Sequence, residues 1–348
     1  MPFLTRGASA IVMLALLCAP DARAQWIALA TGTDAELRGL SVVSPRVVWT
    51  SGARGTVLHT TDGGRTWTHD TVPGASALDF RAIAATSARV AHVMSIADSS
   101  RIYRTTDGGR TWSLRFSATR KGSFFDAIRF WDAQRGIAIS DPVNGKFLVV
   151  TTSDGGTTWR EMPPDRLPPA LPGEGAFAAS GSCLTVRGSG DVWFGTGGAS
   201  VARIFRSRDG GKSWTVHDTP LRAGVASAGV FSVAFRDAKH GVIAGGDYQQ
   251  PALRGRNVAF TSDGGRTWSL TDSASSPGYR SAIAYVPGAS AAAMVAVGLT
   301  GSDLTRTGGA SWVAFDTTAY NSVQFSGTTG WAVGAKGRIA RLVTFPRR

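Results

Sequence analysis

The sequence predicts an all-β protein: a seven-bladed β-propeller of four-stranded antiparallel blades, its ring closed by an N-terminal strand that joins the last blade. Three observations carry this. One eight-residue phrase recurs at blade-length intervals. Short branched and aromatic runs fill the gaps between its copies in a constant order. Strands left over at the two chain ends complete one further sheet.

The phrase is clearest as Thr-Thr-Asp-Gly-Gly-Arg-Thr-Trp at Thr60–Trp67 and Thr105–Trp112. It returns at Thr152–Trp159, Ser207–Trp214 and Thr261–Trp268, and a sixth copy, Thr305–Trp312, has Thr307 in place of the aspartate. Successive intervals are 45 (62 to 107), 47 (107 to 154), 55 (154 to 209), 54 (209 to 263) and 44 (263 to 307) residues. The chemistry explains the recurrence. An aspartate accepts hydrogen bonds from backbone N–H groups just ahead of it and closes a tight turn. The glycine pair supplies positive φ that side chains resist. The tryptophan starts the next strand and buries a large apolar surface between sheets. Asp62, Asp107, Asp154, Asp209 and Asp263, with Trp67, Trp112, Trp159, Trp214 and Trp268, are therefore structural. An EF-hand calcium loop needs several carboxylates at alternate positions, and each phrase carries one.

The elements follow in order. Blade 1 takes residues 37–43, 47–50 and 56–59 before its turn, and blade 2 takes 80–83, 90–93 and 102–105. Blade 3 takes 125–130, 136–139 and 147–150; blade 4 takes 184–186, 192–194 and 204–206. Blade 5 uses 231–235, 241–244 and 258–261, and blade 6 uses 282–285, 294–297 and 304–306. Each run is short, rich in branched or aromatic residues and bounded by turn formers, which is the strand signature. A seventh unit at 323–325, 331–334 and 338–342 lacks the phrase and stops at three strands. Residues 26–30 supply its outer strand, and closing the ring removes free sheet edges.

The address precedes the fold. Arg6, the apolar stretch from Ala8 to Ala19 and Ala22-Arg23-Ala24 before Gln25 form an export signal over residues 1–24. The propeller domain then spans 25–345, in a periplasmic or extracellular setting. No segment reaches the roughly 18 to 20 apolar residues of a transmembrane helix. Cleavage removes Cys18 and leaves Cys183 alone, so no intramolecular disulfide is expected.

Formal charge is +13, from 37 Lys and Arg against 24 Asp and Glu. Such a balance favours acidic partners: an acidic protein face, an acidic glycan or an anionic membrane surface. The arginines are scattered and no basic helix appears, which argues against nucleic acid. The five histidines (His59, His69, His92, His217, His240) have no metal-ligand spacing. No glycine loop opens a helix, so no nucleotide cofactor is expected. Neither metal nor cofactor enters this reading, and a monomer is expected.

The phrase Ser/Thr-x-Asp-Gly-Gly-x-Thr/Ser-Trp is the Asp-box, or BNR repeat, of sialidases and many secreted propellers. Together with Gly330-Trp-Ala-Val-Gly334 and Gly337-Arg-Ile-Ala-Arg341, it makes the chain resemble the photosystem II stability and assembly-factor-like propellers and their exported bacterial relatives. Phe124-Phe-Asp-Ala-Ile128, the run Gly173–Gly181, Gly245-Gly-Asp-Tyr248 and Gly278-Tyr-Arg-Ser281 resemble one exported bacterial group in particular. The resemblance implies the propeller fold and a partner-binding role in assembly or stability.

With all boxes on one face, function is expected on the opposite one, which we call the mouth. Aligned first strands place Arg38, Arg81, Asp126, Ser182, Phe231, Arg280 or Ser281, and Asn321 at that face. The ends of second strands add Asp141 and Asp247 with Tyr248, and the proline-stiffened connection from blade 3 to 4 brings Glu174. The expected ligand or partner site is Arg38, Arg81, Asp126, Asp141, Glu174, Asp247, Tyr248 and Arg280. Arginine forks grip carboxylates in pairs of hydrogen bonds. The alternative is a secreted glycoside hydrolase, sialidase-like or of the two-carboxylate kind, drawing on Asp126, Asp141, Glu174 and Asp247. The Phe/Tyr-Arg-Ile-Pro motif of sialidases is absent, and catalysis is the lesser expectation.

Overall fold

A computed structural model describes residues 25–97, 100–271, 276–289 and 292–342. The export signal at 1–24 lies outside the described residues, as do 343–345. Seven four-stranded antiparallel sheets succeed one another along the chain. Blade 1 is Leu37–Val42, Val48–Gly52, Val57–Thr60 and Thr68–Asp70. Blades 2 to 6 repeat the pattern over residues 80–117, 125–161, 184–218, 228–270 and 282–316. Blade 7 takes Ser322–Ser326, Thr329–Val333 and Ile339–Leu342, and Trp26–Leu29 pairs antiparallel with its third strand. The ring therefore closes as the leftover strands require. One 3₁₀ turn, Pro164–Arg166, interrupts the blade 3 to 4 connection. Among the described residues no helix is long and apolar enough to cross a membrane.

The core is not one mass but seven clusters, each lodged between two neighbouring blades. Blade 1 meets blade 2 through Trp49, Phe80, Val93 and Trp112, and blade 7 meets blade 1 through Trp331, Ile339, Leu40 and Leu58. Burying both faces of each small sheet is what stabilises it, since an isolated sheet this narrow has no dry side.

The box corners sit between third and fourth strands as the phrase predicts. In blade 4, Asp209 accepts the Ser207 hydroxyl, the Lys212 and Ser213 N–H groups and the Ser213 hydroxyl. Both glycines of every box have φ between 69° and 92°. The second is confined by its neighbour as well. A Cβ on Gly156 of blade 3 would lie 2.2 Å from Nε2 of His92 in blade 2, while that Nε2 is 3.1 Å from the Gly155 carbonyl oxygen. Each corner thus doubles as an interblade contact. The sixth box keeps the geometry without its carboxylate. The Thr307 hydroxyl oxygen accepts the Ser311 N–H at 2.9 Å, and that of Thr305 accepts the Gly309 N–H at 3.0 Å.

Candidate functional site

The mouth is built by a backbone device. In blades 1, 2, 3 and 5 the first strand bulges near its start, between residues 37 and 39, 80 and 82, 125 and 127, and 230 and 232. The unpaired residues are Arg38, Arg81, Asp126 and Phe231. A bulge bends the strand and re-aims the extra side chain, and here it does so at the same level in four blades. Two cations, one acid and one aromatic ring are thereby brought toward the propeller axis.

A second device closes that axis. The segment Gly173–Ser182 enters the mouth. Gly175 pairs with Gly197, beside Gly229 of blade 5, and Phe177 stacks on Phe231 at 3.8 Å. Further on, the Ala179 carbonyl accepts a hydrogen bond from Arg38 and the Ser180 carbonyl one from the Ser322 hydroxyl. The Ser180 hydroxyl donates to the Ser281 carbonyl, and Ser182 meets the Ser232 hydroxyl at 2.9 Å. These contacts reach blades 1, 4, 5, 6 and 7, so the segment plugs the channel. Its small residues fit this course, because a Cβ on Gly175 would lie 2.8 Å from Asp141 Oδ1, and the blades leave room beside it because a Cβ on Gly197 would lie 2.5 Å from the Gly229 Cα.

Above the plug lies a cavity of about 690 Å³ walled by Arg38, Arg81, Asp141, Phe177, Tyr248 and Tyr279, among others. Arg38 also pairs with Glu36, and Arg81 Nε donates to Asp79 at 2.8 Å. Burial, followed by the neighbouring Arg81 charge, lowers the Arg38 pKa against the opposing pull of Glu36. Phe231 stands edge-on to Tyr279 (4.9 Å) and to Tyr248 (6.1 Å). Tyr248 remains 42% exposed, leaving an aromatic face at the opening.

Two aspartates lie beside the arginines. Burial raises the Asp141 pKa to about 6, although its Oδ1 accepts the Ala176 N–H of the plug at 2.8 Å. Asp126 is sealed completely. Burial, then the Asp141 charge, push its carboxyl well above the usual range while Arg81 pulls it down. Neither Asp126 oxygen makes a hydrogen bond of normal geometry; the nearby Asp141 N–H donates to the Phe124 carbonyl at 2.9 Å.

The remaining candidates are placed differently. Glu174 borders the cavity, but both its oxygens are engaged by Arg203, with Thr196 and the Leu171 N–H completing the shell. Arg280 is 4% exposed and does not line the cavity. It pairs with Asp303 and donates to Thr300 and to the Tyr279 carbonyl. Asp247 is buried off the cavity wall, where its Oδ1 accepts the Gln249 N–H at 2.9 Å. Of the four carboxylates weighed for glycoside hydrolysis, only Asp141 faces the cavity with capacity to spare. That leaves no opposed pair across it.

Sequence reasoning missed Arg203 and Asp303 because their partners are reached only across strands. It also missed Phe177, although the run Gly-Glu-Gly-Ala-Phe-Ala-Ala-Ser-Gly held the signal: one ring among residues small enough to pass through an axis. Among the described residues no group of three metal-ligating side chains comes together.

Comparison with known proteins agrees with this architecture. The family model of the BNR/Asp-box repeat matches residues 103–114, and no curated protein matches the chain. A solved structure of YCF48 bound to a D1 peptide is similar over 92% of this chain and 95% of its own, at 18% identity and a TM-score of 0.66. YCF48 from Cyanidioschyzon merolae is similar over 91% of this chain and 98% of its own, also at 18% identity and 0.66. A GH74 xyloglucanase from Xanthomonas campestris matches 91% of this chain at 14% identity and a TM-score of 0.61, the likeness covering 53% of that enzyme. At such identities the likeness concerns the fold. The chain is a seven-bladed β-propeller with BNR/Asp-box corners, similar in architecture to YCF48.

Proposed function

We propose that the protein is an exported, non-catalytic propeller that holds an acidic segment of a partner protein in its mouth, as an assembly or stability factor. The observation that carries this is the pairing of Arg38 and Arg81 with an aromatic wall of Phe177, Phe231, Tyr248 and Tyr279 in one open cavity. Charged forks orient a carboxylate, and rings bury the apolar part of a peptide at little entropic cost. That YCF48, similar in fold, has been solved with a D1 peptide supports a peptide ligand here. The +13 formal charge favours an acidic one. Export rests on the signal-like N-terminus.

The test is an array of acidic, neutral and basic peptides probed with the chain from residue 25 onward, beside the double variant R38A/R81A. Arg280 is left intact because it holds Asp303. Retention of acidic peptides that falls about tenfold or more in the variant, with an unchanged melting point, is the expected result. Equal retention by the variant would refute the proposal. Mass spectrometry of the protein recovered from the exported fraction checks cleavage after Ala24.

A further inference from the structure

The plug divides the axis, and on its far side a second cavity of about 1080 Å³ opens on the box face. Its wall is made by the ends of the first strands and the turns that follow. Arg129, Arg187 and Arg236 line it, with Asp132 and Asp237 as its acidic residues. The acids are already occupied in their own turns. Asp132 accepts the Gln134 and Arg135 N–H groups and the Arg135 side chain, each at 2.8 Å. Asp237 accepts the Lys239 and His240 N–H groups at 2.8 Å, stands 2.9 Å from His240 Nδ1, and has Arg236 at 3.6 Å.

Arg129 is left over. Among the described residues its guanidinium makes one hydrogen bond, to the carbonyl of its chain neighbour Ile128 at 3.0 Å, and no carboxylate pairs with it. Arg187 likewise donates to a carbonyl, that of Phe235, at 3.1 Å. Burial lowers the Arg129 pKa to about 10, the response of a cation sunk among protein atoms without a counter-charge. A guanidinium presents five donors in a rigid fork and keeps its charge in such a place. With most of that fork unanswered at a cavity wall, the natural complement is an anion.

We propose that this box-face vestibule binds a small organic anion carrying a carboxylate or phosphate, gripped by Arg129 with Arg187 as the second cation. The site is separate from the mouth, since Ser182 and its neighbours close the axis between them. The Thr185 hydroxyl on the same wall supplies a neutral donor.

Titration calorimetry with citrate and, separately, inorganic phosphate at low chloride concentration tests this on the chain from residue 25 onward. Saturable binding is expected for at least one probe, about tenfold or more weaker in R129M and weaker by a smaller factor in R187A. Citrate alone binding would identify a polycarboxylate site, phosphate alone a phosphate site, and both a site for the shared charge. Binding should also weaken as sodium chloride is raised, because exposed charge is screened. No saturable heat with either probe would overturn the proposal, as would binding unchanged in R129M. The melting point of R129M without anion provides a readout independent of ligand. It should match or exceed the parent's, because methionine replaces a partly buried cation that lacks a counter-charge, and a marked fall would make the guanidinium structural and reject the site.

Discussion

The two faces of the propeller use the same side chain in opposite ways. On the box face, hydrogen bonds from the Thr111 side chain and then its backbone N–H hold the Asp107 pKa at about 2, and Thr158 does the same for Asp154. For Asp209 and Asp263 burial works the other way, and the same set of serine, threonine and backbone donors outweighs it. At the mouth, burial raises Asp141 to about 6 and pushes Asp126 well above the usual carboxylate range. An exposed carboxylate surrounded by N–H and O–H groups favours its charge. A sealed one with few donors resists it. The box corners are therefore built for rigidity and the mouth carries polar groups at a cost, which is the usual character of a site as against a scaffold.

The comparison can be broken or sharpened in order of effect. The largest loss is expected from R203A, which strands the fully buried Glu174 carboxylate. About 3–5 kcal/mol of unfolding free energy should disappear. Urea titration measures it, and the double variant E174Q/R203M should recover most of the loss. A fall below about 1 kcal/mol would mean that water reaches the pair.

Next comes pH. The folded-state pKa of Asp141 exceeds the unfolded value of about 3.9, so the native state holds the extra proton. Its contribution is complete below pH ~4 and is lost as pH rises through about 6, at most about 3 kcal/mol in all. The box aspartates have the reverse sign, contributing above pH ~4 and failing as the medium approaches pH ~2. Urea midpoints across this range should flatten between pH ~4 and ~6 in D141N, and an unaltered slope would deny Asp141 its raised value.

Smaller again is D209A, which removes the acceptor for two backbone and two hydroxyl donors. About 1–2 kcal/mol is expected. The smallest effect is a gain. T307D restores the carboxylate of the sixth box and should raise stability by roughly 0.5–1 kcal/mol, visible as a higher melting point. If it lowers stability instead, the threonine has found its own optimum with Ser311.

How much of this was legible follows from the range of the interactions. The Asp-box closes over four residues, so Asp209 and its donors are adjacent in sequence and their role is evident there. The same holds for the mouth positions of Arg38 and Arg81, because the blade repeat aligns first strands. The partners are another matter. Arg280 stands at the expected level, yet Asp303 claims it from 23 residues away, and Glu174 is claimed by Arg203 from 29. An unpaired charge and a paired one look alike in a sequence. The same ambiguity hid Arg129, which has no carboxylate partner among the described residues because Asp132 and Asp237 are engaged in their own turns.

By itself, then, the sequence determined the blade count, the order of strands, the side on which the boxes lie and the closure by Trp26–Leu29, since each depends on local turns and on a period. Only the tertiary structure decided that four bulges aim residues at the axis, that Gly173–Ser182 divides it into two cavities, and which charges remain available in each. The physical reason is that burial and charge pairing are properties of the space between blades, assembled from residues the chain keeps far apart.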